Sequence, residues 1–336
     1  MTVVGPFGLS VRDQDLEAGV QAGLAAVEAG LLDATKSEVP FITEAAQHLV
    51  SAGGKRFRPL LVMLASQFGD PDAPGVVPAA VVVELTHLAT LYHDDVMDEA
   101  DVRRGVASAN TRWGNSVAVL TGDFLFARAS HILADLGPEA VRIQAEAFER
   151  LVTGQILETA GPRDGRDPVD HYMDVLGGKT GSLVAVSGRF GALMAGADES
   201  VVDILTQYGE RLGIAFQLAD DVLDIASDSH ESGKTPGTDL REGIPTLPVL
   251  HLRARAAAEG RPEDKELVEL LDGDLADDAR LAEALRGLRA HPALEQARRD
   301  TIRYAQEARA TLAPLPEGYA KAALEELCDA VVHRAG

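Results

Sequence analysis

Aromatic residues are scarce in this chain, only 4% of 336 with a single tryptophan. That weighs against a β-sheet protein, whose strands usually carry more aromatic and β-branched side chains. Cysteine is almost missing too. Cys328 stands alone, which excludes an intrachain disulfide and leaves no sign of an oxidising compartment. Positive charge is in short supply, with 31 Lys and Arg against 53 Asp and Glu for a net charge of −22. No nucleic-acid partner is expected, because such a partner needs a basic face, and anionic lipid headgroups are disfavoured. The longest apolar run, Val76 to Tyr92, is broken by Glu84, Thr86 and His87. It reads as a buried core helix, so no integral membrane segment is expected. The first residues, MTVVGPFGLSVRDQDLEAG, lack a basic start followed by a long apolar core, so a secretory leader is not expected and the location reads as cytoplasmic.

What is present is helical. Alanine, leucine and valine dominate, and apolar residues recur at three- and four-residue spacing through most of the chain. The periodicity predicts helices over 11–33, 39–51, 57–68, 77–99, 115–134, 138–159, 168–176, 181–195, 199–227, 246–259, 263–272, 276–290, 292–313 and 317–333. The stretches 160–168 and 228–245 read as short loops, and Gly178 to Gly181 as a helix–helix turn. No Pro/Gly/Ser-rich linker splits the sequence, so one all-α domain over residues 1–336 is the economical reading.

The helices at 77–99 and 199–227 are apolar on most faces, and each carries an aspartate cluster near its C-terminal end: Asp94-Asp95-Val-Met-Asp98 and Asp220-Asp221-Val-Leu-Asp224. A single such cluster is weak, since an acidic patch on a solvated helix gives the same pattern. Here three things count against that. Aspartates four apart share one helix face and repel. They lie where the helix dipole is already negative. Their flanks, LATLYHDDVMD and FQLADDVLD, are apolar. Clustered, half-buried carboxylates call for a cation, and Mg²⁺ suits them because it takes a few carboxylates and completes its shell with water and phosphate.

Basic residues sit beside flexible glycines. Lys55, Arg56 and Arg58 follow Gly53-Gly54, and Arg103-Arg104 follow the first cluster. Lys179-Thr180 lie within Gly178–Gly181, and Gly233-Lys234-Thr235 follows the second cluster. The Gly-Lys-Thr fragments lack the rest of a P-loop and no strand precedes them, which rejects nucleotide binding in that form. His87 lies seven residues before Asp94 on roughly the same helix face. It reads as a phosphate donor rather than a satisfied core histidine.

These blocks in order, GGKRFRP, LTHLATLYHDDVMDEADVRRG, GGKTGSL, FQLADDVLD and GKTPGTDLREGIPTLPVL, resemble the trans-isoprenyl diphosphate synthases, or polyprenyl synthetases, from about Gly53 to Leu250. The resemblance implies the all-α isoprenoid synthase fold, ten or more helices around a deep central cavity, as a homodimer. It implies condensation of isopentenyl diphosphate with an allylic diphosphate such as farnesyl or geranylgeranyl diphosphate. Ionisation gives an allylic cation that the isopentenyl double bond attacks, and released pyrophosphate takes the proton. Asp94, Asp98 and Asp220 would hold Mg²⁺, three ions with substrate bound, and Asp95, Asp221 and Asp224 would support them. Lys55, Arg58, His87 and Arg104 would bind isopentenyl diphosphate. Arg103, Lys179 and Lys234 would bind the allylic diphosphate, with Thr180 and Gln217 beside the cationic carbon. One departure is Ile244, where the family often has a lysine, and weaker substrate binding is expected from it.

The resemblance also bears on product length. In short-chain members bulky aromatics one turn before the first cluster close the cavity floor, whereas Ala89 and Thr90 stand there in this chain. The expected product is C30 to C50. The alternative is a wall from Phe124 or Phe126 that would stop the product at C20. A terpene cyclase is rejected, because Asp224 and Asp228 occupy the positions where its Ser/Thr and Glu would stand. A non-catalytic regulatory subunit tends to lose one aspartate cluster, and both are intact. An acidic scaffold leaves the basic clusters unexplained.

Overall fold

A computed structural model describes residues 3–4, 9–10, 13–227 and 236–335. In chain order its helices are α1 (Gln14–Ala34), α2 (Pro40–Ser51), α3 (Phe57–Ala65), α4 (Val76–Met97), α5 (Ala109–Trp113) and α6 (Asn115–Leu136). Then follow α7 (Pro138–Ala160), α8 (Pro168–Leu176), α9 (Ser182–Met194), α10 (Glu199–Ala226) and α11 (Thr238–Arg241). The last are α12 (Leu247–Glu259), α13 (Pro262–Leu271), α14 (Asp278–Ala290), α15 (Pro292–Thr311) and α16 (Tyr319–Ala335). Strands are limited, among the described residues, to two short hairpins, β1–β2 (Val3–Val4 with Leu9–Ser10) and β3–β4 (Val102–Arg103 with Val106–Ala107). The all-α expectation holds, and the long helices start and stop within a few residues of where the periodicity puts them.

The chain divides into two compact units. The first comprises Met1–Glu149, Ser182–Glu210 and Thr311–Leu327. Its centre is α4, whose Ala79 to Leu85 are buried on every side, as its all-round apolar sequence requires. Helices α1, α3, α6 and α9 pack against it. Close approach on α9 depends on Gly191, where a Cβ would stand 2.4 Å from the Val62 carbonyl of α3. Tyr92, fully buried, donates from its hydroxyl to the Ala45 carbonyl at 2.6 Å and thereby fixes α2 beside the end of α4 that carries the first cluster. By length and composition α4 and α6 could cross a membrane, but α4 is mostly interior to the protein.

The second unit comprises Arg150–Gly181, Arg211–Ala310 and Cys328–Gly336. Its core joins Tyr172 and Leu176 of α8, Leu218 and Val222 of α10, and leucines of α12 to α15. Asp167 caps α8 by accepting from Val169 N and Asp170 N, and Pro168 takes the first helical position, where its missing N–H costs nothing.

Two local expectations are corrected. Gly177–Gly181 is not a turn but a π-helical segment following α8 and directly preceding α9. Two glycines let it sit against α7, since a Cβ on Gly154 would fall 2.6 Å from Lys179 N and one on Gly178 would fall 2.8 Å from the Arg150 carbonyl. The 228–245 loop is in part helical, because α11 occupies Thr238–Arg241. Gly233, Lys234 and Thr235 lie outside the described residues.

Candidate active site

The first cluster closes α4. Asp94 is one turn from the helix end, and Asp98 is its C-cap, with Asp98 N donating to the Asp94 carbonyl at 2.8 Å. Asp95 points inward and is fully buried. Its Oδ1 accepts from Arg103 Nε at 2.5 Å, and its Oδ2 has no hydrogen-bond partner. Burial raises the Asp95 pKa against the opposing pull of Arg103. Arg103 also lies 3.9 Å from Asp98 Oδ2, so one guanidinium serves two of the three carboxylates.

Arg103 is aimed by the β3–β4 hairpin. Its two central residues, Arg104 and Gly105, both take positive φ (53° and 77°), as a tight primed hairpin turn requires. Arg104 goes elsewhere. It donates to the Leu49 carbonyl at 3.0 Å and to the Gly53 carbonyl, and it lies 3.7 Å from Glu84. Glu84, 2% exposed, also accepts from Arg56 Nη1 at 2.9 Å. Arg56 is thus a structural cation, paired to Glu28 and Glu84 and held in a left-handed backbone conformation at the start of α3. The acid that interrupts the apolar run of α4 is the counter-ion of this group.

Arg58 and His87 share the resulting basic region of the first unit. Burial and neighbouring Arg104 pull Arg58 down to about 10 against the pull of Glu84, and Arg58 Nε is buried without a hydrogen-bond partner. His87 is pushed well below the ordinary histidine range by burial and by Arg58, Arg104, Arg103 and Arg56. Such surroundings are tolerable for a site that receives a dianionic or trianionic ligand. Lys55 is exposed on the loop before α3.

The second cluster lies in the last two turns of α10. Asp221 is 5% exposed, accepts from the Tyr172 hydroxyl, and accepts from Gln217 Nε2 at 2.9 Å. Burial, with Asp220 and Asp224 adding repulsion, raises its pKa to about 6 in spite of those two donors. Asp224 accepts from Thr238 N and Asp239 N at 3.2 Å each, which ties α10 to α11. Asp220 pairs with Arg334 of α16 at 2.5 Å. Thr180 on the π segment donates to Gln217 Oε1 at 3.2 Å, so Thr180, Gln217 and Asp221 form one hydrogen-bonded chain. Lys179 is held by Glu158 at 2.6 Å.

Sequence reasoning singled out each aspartate and most cations but missed Glu84, Glu158, Tyr172 and Arg334. Glu84 did carry a signal, as the one acid within the apolar run from Val76 to Tyr92. The others had none. Ala89 is fully buried and Thr90 half-buried. Phe126 packs on Phe148 (ring centroids 4.5 Å apart) and on His93 (5.7 Å). Among the described residues no three His, Cys, Asp or Glu side chains converge on a ready-made metal site. The donors are hard carboxylate oxygens, and the shared helix face of Asp94 and Asp98 offers two of them. That set fits Mg²⁺, whose remaining positions are filled by water and phosphate oxygens.

The chain belongs to the polyprenyl synthetase family, whose model matches residues 39–288. It is 48% identical to the nonaprenyl diphosphate synthase of Mycobacterium tuberculosis over 98% of this chain and 97% of that one. Among solved structures it is similar to a geranylgeranyl pyrophosphate synthase from Corynebacterium glutamicum complexed with calcium and isoprenyl diphosphate. The TM-score is 0.87 at 45% identity, covering 98% of this chain and all of that one. It is also similar to a decaprenyl diphosphate synthase from Rhodobacter capsulatus, with TM-score 0.85, 37% identity and 96% and 99% coverage. The isoprenoid synthase fold expected from the sequence is thereby established.

Proposed function

We propose that this chain is a Mg²⁺-dependent trans-prenyltransferase that condenses isopentenyl diphosphate with an allylic diphosphate, head to tail, to make a long-chain polyprenyl diphosphate of C30 to C50. The observation that carries the reading is that both aspartate clusters are intact and each is backed by its own cations. The near full-length likeness to the nonaprenyl enzyme supports a long product over C20. A regulatory subunit would not need both clusters. The two units act as one synthase domain spanning residues 1–336.

Asp94, Asp98 and Asp220 would hold the metal, three ions with substrate bound, and Asp95, Asp221 and Asp224 would support them. When bound, Mg²⁺ would neutralise the allylic diphosphate and make it a better leaving group. Arg103, Lys179 and Lys234 bind that same diphosphate. Lys55, Arg58, His87 and Arg104 bind isopentenyl diphosphate, Arg104 from a guanidinium already anchored on carbonyls. The Thr180–Gln217 pair presents oxygen dipoles to a developing allylic cation and offers no nucleophile to trap it. Ala89 and Thr90 line the path of the growing chain.

A homodimer fits the apolar surface of α6, where Leu120 is 66% exposed beside Val119. A cytoplasmic location fits an enzyme whose substrates are charged and whose net charge is strongly negative. The test is incubation with isopentenyl diphosphate, farnesyl diphosphate and Mg²⁺, with products sized by chromatography. C30 to C50 chains are expected. A single C20 product would overturn the length, and no elongation with metal still bound would overturn the reaction.

A further inference from the structure

The three carboxylates of the second cluster are held in three different ways. Asp221 is buried between the Tyr172 hydroxyl and Gln217. Asp224 is locked to the backbone N–H groups that begin α11. Asp220 instead pairs with a charged side chain, that of Arg334, 114 residues away in sequence and on the last turn of α16. Arg334 is itself positioned. Its guanidinium lies over the ring of Phe216, one turn before Asp220, at 4.7 Å from the centroid. A cation in the final turn of a helix is favoured by the helix dipole, and an arginine stacked on an aromatic ring loses less freedom in forming a pair. Earlier on the same helix, Asp329 pairs with Arg309 at 2.8 Å, so this end of α16 is pinned at two points.

We infer that Arg334 is a positioning residue of the second cluster, an internal cation that holds the Asp220 carboxylate in the metal-free protein and is exchanged for the divalent ion. The pair is suited to exchange. Both side chains are about a quarter exposed, so water can solvate each as they separate, and the pair is worth little compared with a buried one. Asp221 accepts from the core hydroxyl of Tyr172, and Asp224 accepts from backbone N–H groups, donors that do not swing away as an arginine side chain can.

The inference rests on Asp220 taking up a divalent cation, and the experiment separates the two ideas. Mn²⁺ alone, without substrate, is titrated into wild type, Arg334→Ala, Arg334→Lys and Asp220→Asn, with free Mn²⁺ followed by electron paramagnetic resonance. Arg334→Ala should bind Mn²⁺ roughly twofold to fivefold more tightly, since the competing cation is gone. Arg334→Lys should stay near wild type, because the charge is kept, and Asp220→Asn should bind more weakly. In wild type, hydrogen exchange over residues 328–334 should speed up on addition of Mg²⁺, as the pin at Arg334 is released. Unchanged or weaker Mn²⁺ binding by Arg334→Ala, with Asp220→Asn still impaired, would overturn the role of Arg334 and leave the metal site standing. Unimpaired binding by Asp220→Asn would overturn both.

Discussion

The two aspartate clusters look alike in sequence and are held in different ways. At the first, the counter-charge is local. Arg103 comes from a hairpin that begins four residues after Asp98 and reaches back to Asp95 at 2.5 Å. Behind it lies a basic group organised by one buried acid, Glu84. At the second, the support is neutral and internal, from Tyr172 and Gln217 to Asp221, with Arg334 brought from the far end of the sequence. The first region is therefore rich in fixed positive charge, suited to receiving a free diphosphate. The second is rich in polarisable oxygen and hydroxyl groups around its acids, suited to a cation or a developing positive charge. One repeated pattern serves two electrostatic tasks.

The strongest way to break this comparison is to remove the acid common to both. Asp94→Ala and Asp220→Ala should each lower kcat by at least about 10²-fold, the scale on which single charged partners of a transition state are worth. Steady-state elongation assays at saturating Mg²⁺ measure it. A variant that keeps near-normal rate would show that its cluster is not part of the clamp.

A second test strikes the buried acid that distinguishes the first region. Glu84→Ala leaves Arg56 and Arg104 facing each other without their shared counter-ion. Removing one partner of a buried charge pair costs about 3–5 kcal/mol. Urea unfolding should place the loss near the lower figure, because Arg56 keeps Glu28 and the Val50 carbonyl. A loss under about 1 kcal/mol would mean the basic group does not depend on Glu84.

The matching change in the second region should be smaller. Tyr172→Phe removes one donor from Asp221 and leaves Gln217 in place, so the expected cost is about 1–3 kcal/mol by unfolding without metal. If it exceeds the cost of Glu84→Ala, the contrast between a charge-built and a hydroxyl-built region fails.

Much of this was legible in the sequence, and the limit has a physical form. The long helices α4 and α10 announce themselves by apolar periodicity over more than twenty residues, and the aspartates fall at their ends by local spacing alone. Helices α5 and α11, of five and four residues, are too short for a period to register. Gly-Gly-Lys-Thr-Gly reads as a turn because its glycines suit one. Here they serve close packing against Gly154 of α7, which only the tertiary structure reveals. The same holds for partners. Lys179 could be picked out by type, but nothing local pairs it with Glu158, 21 residues earlier, or Asp220 with Arg334.

The finest test concerns His87, whose proton affinity is set by the basic region around it. Its folded pKa is depressed by burial and by four guanidinium groups, whereas in the unfolded chain it returns to the ordinary value near 6.5. The folded protein therefore binds fewer protons at this site than the unfolded chain. The stability contributed is fully present above the unfolded value and is lost as pH falls below it, towards the folded pKa. One proton can change stability by no more than about 1.4 kcal/mol per pH unit. Relative to His87→Gln, wild type should lose stability between pH 7 and pH 5, measured by urea unfolding. Binding of isopentenyl diphosphate should reverse the sign of the local field, because an anion beside the ring favours the imidazolium. Calorimetry at pH 6.5 in two buffers of different ionisation enthalpy should then show proton uptake on binding by wild type and less by His87→Gln. Equal uptake in the two proteins would remove His87 from the diphosphate site and leave the basic region to arginine and lysine alone.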